Sequence, residues 1–181
     1  ATWIFTRDSI TAQNLQKEGI EASYVGNPMM DGLTTSEKLP GLGENKTLIA
    51  LLPGSRDEAY GNLLLLLETA KLTHQQSSDY EWIIAKAPQL DIKKIEASLP
   101  SDWTLGPESL EHSSGLHVRI SENFLAILNS ASLVLGLSGT GNEQAVHLGK
   151  TVLCFPGTGP QTTRQRFQEQ RLLLGDALII K

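Results

Sequence analysis

The chain has 181 residues, a formal net charge of −5 and a single cysteine, enough for one ordinary domain and part of another. With 40% apolar and 19% charged residues, it has globular composition, which excludes a disordered or fibrous chain. The negative charge argues against a nucleic-acid partner, and the lone cysteine excludes a disulfide framework or a thiolate zinc cluster and fits a reducing, cytoplasmic compartment. No apolar run, including the leucines at 63–67, approaches the roughly 20 residues of a membrane span. The chain opens on Ala1-Thr2-Trp3, without Met or a basic signal region, so it is expected to be a piece of a longer protein.

In chain order, short apolar or β-branched runs alternate with helical stretches. A strand at 2–6, a helix at 9–17 and a strand at 22–25 come first. Residues 31–46, rich in Gly, Thr, Ser, Pro and acids, read as a linker. Strands then follow at 47–52, 81–85, 115–120, 132–137, 151–155 and 177–180, with helices at 57–73, 91–98, 122–130, 142–148 and 164–173. Leu48-Ile49-Ala50-Leu51-Leu52 is apolar throughout, as in a strand buried on both faces of a parallel sheet. Leucines at 63–67 cover every side of their helix, which predicts burial against that sheet. The fold class is therefore α/β, a doubly wound, Rossmann-like parallel sheet.

Such sheets bind ligands beyond the carboxyl ends of their strands, which directs attention to three loops. Pro53-Gly54-Ser55-Arg56 offers a close backbone approach at Gly54, a hydroxyl at Ser55 and, at Arg56, a planar fork suited to phosphate oxygens. The alternative is a plain turn with Arg56 paired to Asp57 or Glu58. Ser138-Gly139-Thr140-Gly141-Asn142-Glu143-Gln144 leaves a helix N-terminus open to an anion, and Glu143 or Gln144 could bond a sugar diol. It is neither a Walker loop nor a Gly-x-Gly-x-x-Gly loop. Its alternative is a simple N-cap by Ser138 or Thr140. In Phe155-Pro156-Gly157-Thr158-Gly159-Pro160-Gln161, Gln161 could reach a ligand, or the segment is only a connection. The four histidines show no metal-ligand spacing, no metal or cofactor is implied, and Cys154 is expected to pack as a small hydrophobe. No Gly-x-Ser-x-Gly elbow supports a hydrolase triad.

Together these segments resemble the lipid-A-disaccharide synthases. Leu51-Leu52-Pro53-Gly54-Ser55-Arg56 resembles their Leu-Leu-Pro-Gly-Ser-Arg signature. Ser138-Gly139-Thr140, with Leu148-Gly149-Lys150 ten residues on, resembles their donor-binding segment. Tyr24-Val25-Gly26-Asn27-Pro28, followed by Asp31, resembles their Phe-Val-Gly-His-Pro crossing between domains, with Asn27 in place of His. The resemblance implies a two-domain GT-B glycosyltransferase that transfers a UDP-activated acylglucosamine to a lipid-linked sugar acceptor, with peripheral membrane contact at the inner membrane face. Residues 1–30 would end the N-terminal acceptor domain, 31–46 link, and 47–181 form most of the UDP-sugar-binding domain. Gly54, Ser55, Arg56, Ser138, Gly139, Thr140, Asn142, Glu143, Gln144 and Gln161 are the expected donor-binding residues.

Two departures mark a divergent branch. The family's ribose-reading acid falls at Gln144, with the acid one place earlier as Glu143; one residue turns a helical side chain by about 100°. The family's catalytic base belongs to a region this chain does not contain, so the chain is expected to bind without catalysing. Two competing readings remain. One is a UDP-N-acetylglucosamine 2-epimerase or the peptidoglycan glycosyltransferase, disfavoured by the Pro-Gly-Ser-Arg loop. The other is a non-catalytic nucleotide-sugar sensor, which lacks a base in the whole protein.

Overall fold

The computed structural model describes residues 3–33, 37–43, 46–174 and 178–180. The chain divides into two compact units, Ala1–Thr34 and Thr35–Lys181. In the first, β1 (Ile4–Phe5) and β2 (Ala22–Ser23) pair in parallel around α1 (Ser9–Lys17). Asp8 starts that helix by accepting from Thr11 N at 2.7 Å, an N-cap of the usual kind. The helix ends when Gly19 enters φ 77° and the amides of Gly19 and Ile20 donate to Gln16 O and Leu15 O, a Schellman stop. Asn27 starts a short 3₁₀ turn, Pro28–Met30, by accepting from Met29 N at 3.1 Å.

The second unit runs β3 (Thr47–Leu52), α2 (Glu58–His74), β4 (Tyr80–Ala85), α3 (Ile92–Ser98), β5 (Trp103–Leu105), β6 (Ser109–His112), β7 (His117–Ser121), α4 (Phe124–Ser130), β8 (Leu133–Gly136), α5 (Thr140–His147), β9 (Val152–Cys154), α6 (Arg164–Leu174) and β10 (Leu178–Ile180). The sheet order is β10-β9-β8-β3-β4-β7-β6-β5. From β10 to β7 all pairings are parallel; β7, β6 and β5 pair antiparallel. The doubly wound α/β class expected from the sequence is therefore present, extended by an edge hairpin. That hairpin is absent from the sequence reading because three- and four-residue strands around Gly106-Pro107 are too short to show a period.

Burial on both faces follows directly from the alternation in β3. Ile49 and Leu51 enter the core beneath α2 and α3, with Trp82, Leu110 and Val118. Leu48, Ala50 and Leu52 enter the opposite core with Ile127, Leu128, Ala145 and Phe167 of α4, α5 and α6. The leucine run of α2 is one-sided rather than buried all round: Leu63, Leu66 and Leu67 are buried whereas Leu65 is 39% exposed. An α-helix lying on one face of a sheet always turns part of its surface outward. Residues 37–43 lie against this same unit: Leu39 N donates to Ser130 Oγ at 2.9 Å, Arg119 donates to Pro40 O, and Gly43 N donates to Glu81 Oε1.

Candidate functional site

After β7 the chain leaves one side of β3 and re-enters as β8 on the other, which creates a switch point with β3 at its centre. Helices on either side of such a point diverge and leave a crevice at the strand ends. A cavity of about 250 Å³ occupies this position, lined by Leu52, Gly54, Ser55, Ala85, Lys86, Ala87, Pro88, Glu122, Phe124, Ser138, Thr140, Gly141 and Gln144. These residues come from the carboxyl ends of β3, β4, β7 and β8 and from the helices that follow.

In the first loop Gly54 stands at φ 111°, a conformation that favours glycine. It turns the backbone so that Gly54 and Ser55 line the cavity. Arg56 is exposed and lines a neighbouring groove that Ser55 shares. Among the described residues no ion pair engages Arg56, so the pairing with Asp57 or Glu58 is not formed. Helix α2 begins at Asp57 without a side-chain cap.

The second loop behaves alike. Helix α5 starts from Gly139, again with no side-chain cap, so neither Ser138 nor Thr140 caps it. By contrast α1, α3 and α4 are each capped by a side chain, of Asp8, Asp91 and Asn123. Ser138 Oγ instead donates to Asn142 Oδ1 at 2.9 Å. Asn142 is 1% exposed, and its Nδ2 donates to Gly136 O and Cys154 Sγ, so its side chain is used inside the fold. The helix starts two residues earlier than the sequence pattern implies. In it, Gln144 lines the cavity, while Glu143 is buried and faces Arg166 Nη2 at 3.9 Å.

The third loop does not line this cavity; it packs behind the other two. Thr158 N and Oγ1 both donate to Asn62 Oδ1, at 2.9 and 3.0 Å. Gln161 accepts from Arg166 Nε at 3.0 Å and lies so close to Gly139 that a Cβ there would fall 2.6 Å from its Oε1.

Four residues that matter here have no motif in the sequence. Lys86 is the plainest: its ammonium donates to Leu90 O at 3.0 Å and pairs with Glu122 Oε1 at 2.7 Å, pinning one cavity wall to the end of β7. Its signal is a lone lysine closing an apolar strand. Phe124 adds an apolar wall. Arg166 and Asn62 act through loops distant in sequence. Elsewhere, Ser114 Oγ stands 2.7 Å from His112 Nδ1, and His112 Nε2 stands 2.9 Å from Asp102. Ser114 N also donates to Nδ1, so the ring proton sits on Nε2 and the group staples the β6–β7 turn. It lies at the opposite end of the sheet from the cavity.

Among the described residues no group of His, Cys, Asp and Glu could hold a metal ion, and no helix is long and apolar enough to cross a membrane. An α/β protein with a crevice at its switch point, between the Gly54-Ser55 turn and the uncapped start of α5, is the class that fold and site define. Within that class the chain belongs to the lipid-A-disaccharide synthetase family (LpxB), whose model matches residues 12–142. It is 26% identical to the lipid-A-disaccharide synthase of Acinetobacter baylyi over 77% of the chain and 37% of that protein. It is 28% identical to the synthase of Persephonella marina over 54% of the chain and 28% of that protein. The chain thus spans well under half of these relatives. Among solved structures, a Listeria monocytogenes protein assigned as a UDP-N-acetylglucosamine 2-epimerase superposes with TM-score 0.58, at 20% identity, over 95% of the chain and 50% of that protein. The corresponding enzyme of Methanocaldococcus jannaschii gives 0.55, at 16% identity, over 100% of the chain and 51% of that protein. At these identities the likeness shows a shared fold. The family match and the relatives identify a divergent, synthase-like member of a glycosyltransferase family.

Proposed function

We propose that this chain is the donor-holding part of a hexosyltransferase that binds a UDP-activated acylglucosamine for transfer to a lipid-linked sugar, as in lipid A disaccharide formation. The observation that carries the reading is the uncapped start of α5, whose Thr140 and Gly141 line the cavity together with the Gly54-Ser55 turn. Free backbone N–H groups at a helix N-terminus favour an anion there.

On this reading Gly54 and Ser55 approach the diphosphate from one side, and Ser138, Gly139 and Thr140 approach it from the other. Arg56 closes over the phosphates from the adjoining groove, where among the described residues it forms no ion pair although Asp57, Glu58 and Asp91 line the same groove. Gln144 reads the ribose hydroxyls as a neutral amide, while Glu143 and Asn142 hold α5 in place from within. Gln161 acts from behind, through Gly139. On this reading the catalytic base is supplied from elsewhere in the whole protein, and this chain binds donor without turning it over. The whole protein works peripherally at the inner membrane face, on a lipid-linked acceptor. The fold likeness to 2-epimerases leaves that activity as the weaker reading, because the family match and the Pro-Gly-Ser-Arg loop point to the synthases.

Calorimetric titration of the chain with UDP tests the proposal. Wild type should bind saturably. Arg56→Ala should weaken binding roughly ten- to a hundredfold, as expected when one charge-assisted phosphate contact is lost. Absence of binding by wild type contradicts the reading.

A further inference from the structure

The loop that lines no part of the cavity still touches α2, which follows the Gly54-Ser55 wall, and the start of α5, which lines it. We propose that Gly157-Thr158-Gly159 is a strap, anchored by Asn62 and continued by Gln161, that sets the spacing between the Gly54-Ser55 turn and the start of α5. Asn62 and Gln161 are then positioning residues for the diphosphate half of the ligand. This rests on the donor-binding reading above.

Asn62 is 3% exposed, so its amide group has to find partners inside the protein. Its Nδ2 donates to Pro53 O at 3.1 Å, the carbonyl immediately before Gly54. Its Oδ1 accepts both bonds from Thr158. One side chain thus ties the first loop to the third. The strap is seated without slack: a Cβ on Gly157 would fall 2.7 Å from Asn62 Oδ1, and one on Gly159 2.5 Å from Glu58 Cγ. Gly159 also stands at φ 89°. At the far end Gln161 bears on Gly139, held there by Arg166, which reaches Glu143 of α5 on its other side. Contacts therefore run unbroken from Pro53 through Asn62, Thr158 and Gln161 to Gly139.

The consequence is selective. A diphosphate has to be met by N–H groups from both sides at once, so it is sensitive to the distance between them. A nucleoside alone does not span that distance. Misplacement of such groups by about 1 Å can cost on the order of a hundredfold.

The test compares UDP and uridine on the whole chain. Asn62→Asp keeps an acceptor for Thr158 but replaces the donor to Pro53 O. It should weaken UDP by at least about tenfold and leave uridine affinity unchanged. Thr158→Val removes only the hydroxyl, which Asn62 Oδ1 and Glu58 O share as acceptors, and should shift affinity the same way by less. The strap is overturned if folded Asn62→Asp binds UDP as wild type does, or if UDP and uridine weaken together. Should Asn62→Asp fail to fold, Thr158→Val decides by the same criterion. If wild type itself does not bind UDP, the donor reading fails first and the strap falls with it.

Discussion

At the scale of single residues, the second loop shows how one small helical stretch divides its labour. Asn142, Glu143 and Gln144 are consecutive, yet two of them are buried and one faces the cavity, because successive helical side chains are separated by about 100°. The sequence left open whether Glu143 or Gln144 looks outward. Geometry turns Gln144 to the cavity and Glu143 toward Arg166, a residue that no local pattern connects to it. Cys154, beneath Asn142, is fully buried, and burial pushes its thiol up to about 12. It should therefore resist a thiol reagent at pH 8 in the native protein and react once unfolded. Because the folded-state value is raised, its contribution to stability is complete below 9.0, the ordinary value of a cysteine thiol. That contribution is lost as pH rises from there toward 12, since the unfolded chain releases the proton first. Urea unfolding of wild type and Cys154→Ala across this range checks the sign: the wild type should lose stability more steeply. Protection from the reagent that persists in the unfolded state would contradict the account.

At the scale of elements, the sheet and its helices were legible because their signals are local. The continuous apolar run of β3 follows from burial against two cores, and the leucine run of α2 from burial against one of them. Leu66 is 0% exposed and Leu65 is 39% exposed on the same helix. Leu66→Ala should cost about 2–5 kcal/mol by leaving a cavity, and Leu65→Ala about 0.5 kcal/mol or less. Urea midpoints at an unchanged slope measure both; equal losses would mean that α2 does not lie as described. The elements that escaped the sequence are those whose reason is not local. The β5–β6 hairpin has strands too short for alternation, and it is held by Trp103 and Leu110 reaching a core built by other segments. Lys86 reads as an ordinary surface lysine until the sheet brings Glu122 beside it. Asn62 reads as a polar break in a leucine helix until the third loop lies across it.

At the scale of the whole molecule, the strand order places the three glycine-containing loops at one end of the sheet. That Gly54, Ser55, Ser138, Thr140 and Gln144 meet there follows from their positions just after β3 and β8. That the third loop stands behind them does not, since only packing distinguishes a loop facing a cavity from one bracing it. The acidic balance of the chain, −5 overall, suits such a site, because a diphosphate held by backbone N–H groups and one arginine needs no basic surface. The most direct test is the amide spectrum of the labelled chain during titration with UDP. The account predicts saturable shifts at Gly54, Ser55, Gly139, Thr140, Gly141 and Gln144. An unchanged spectrum at those amides, or shifts confined to another surface, would contradict it.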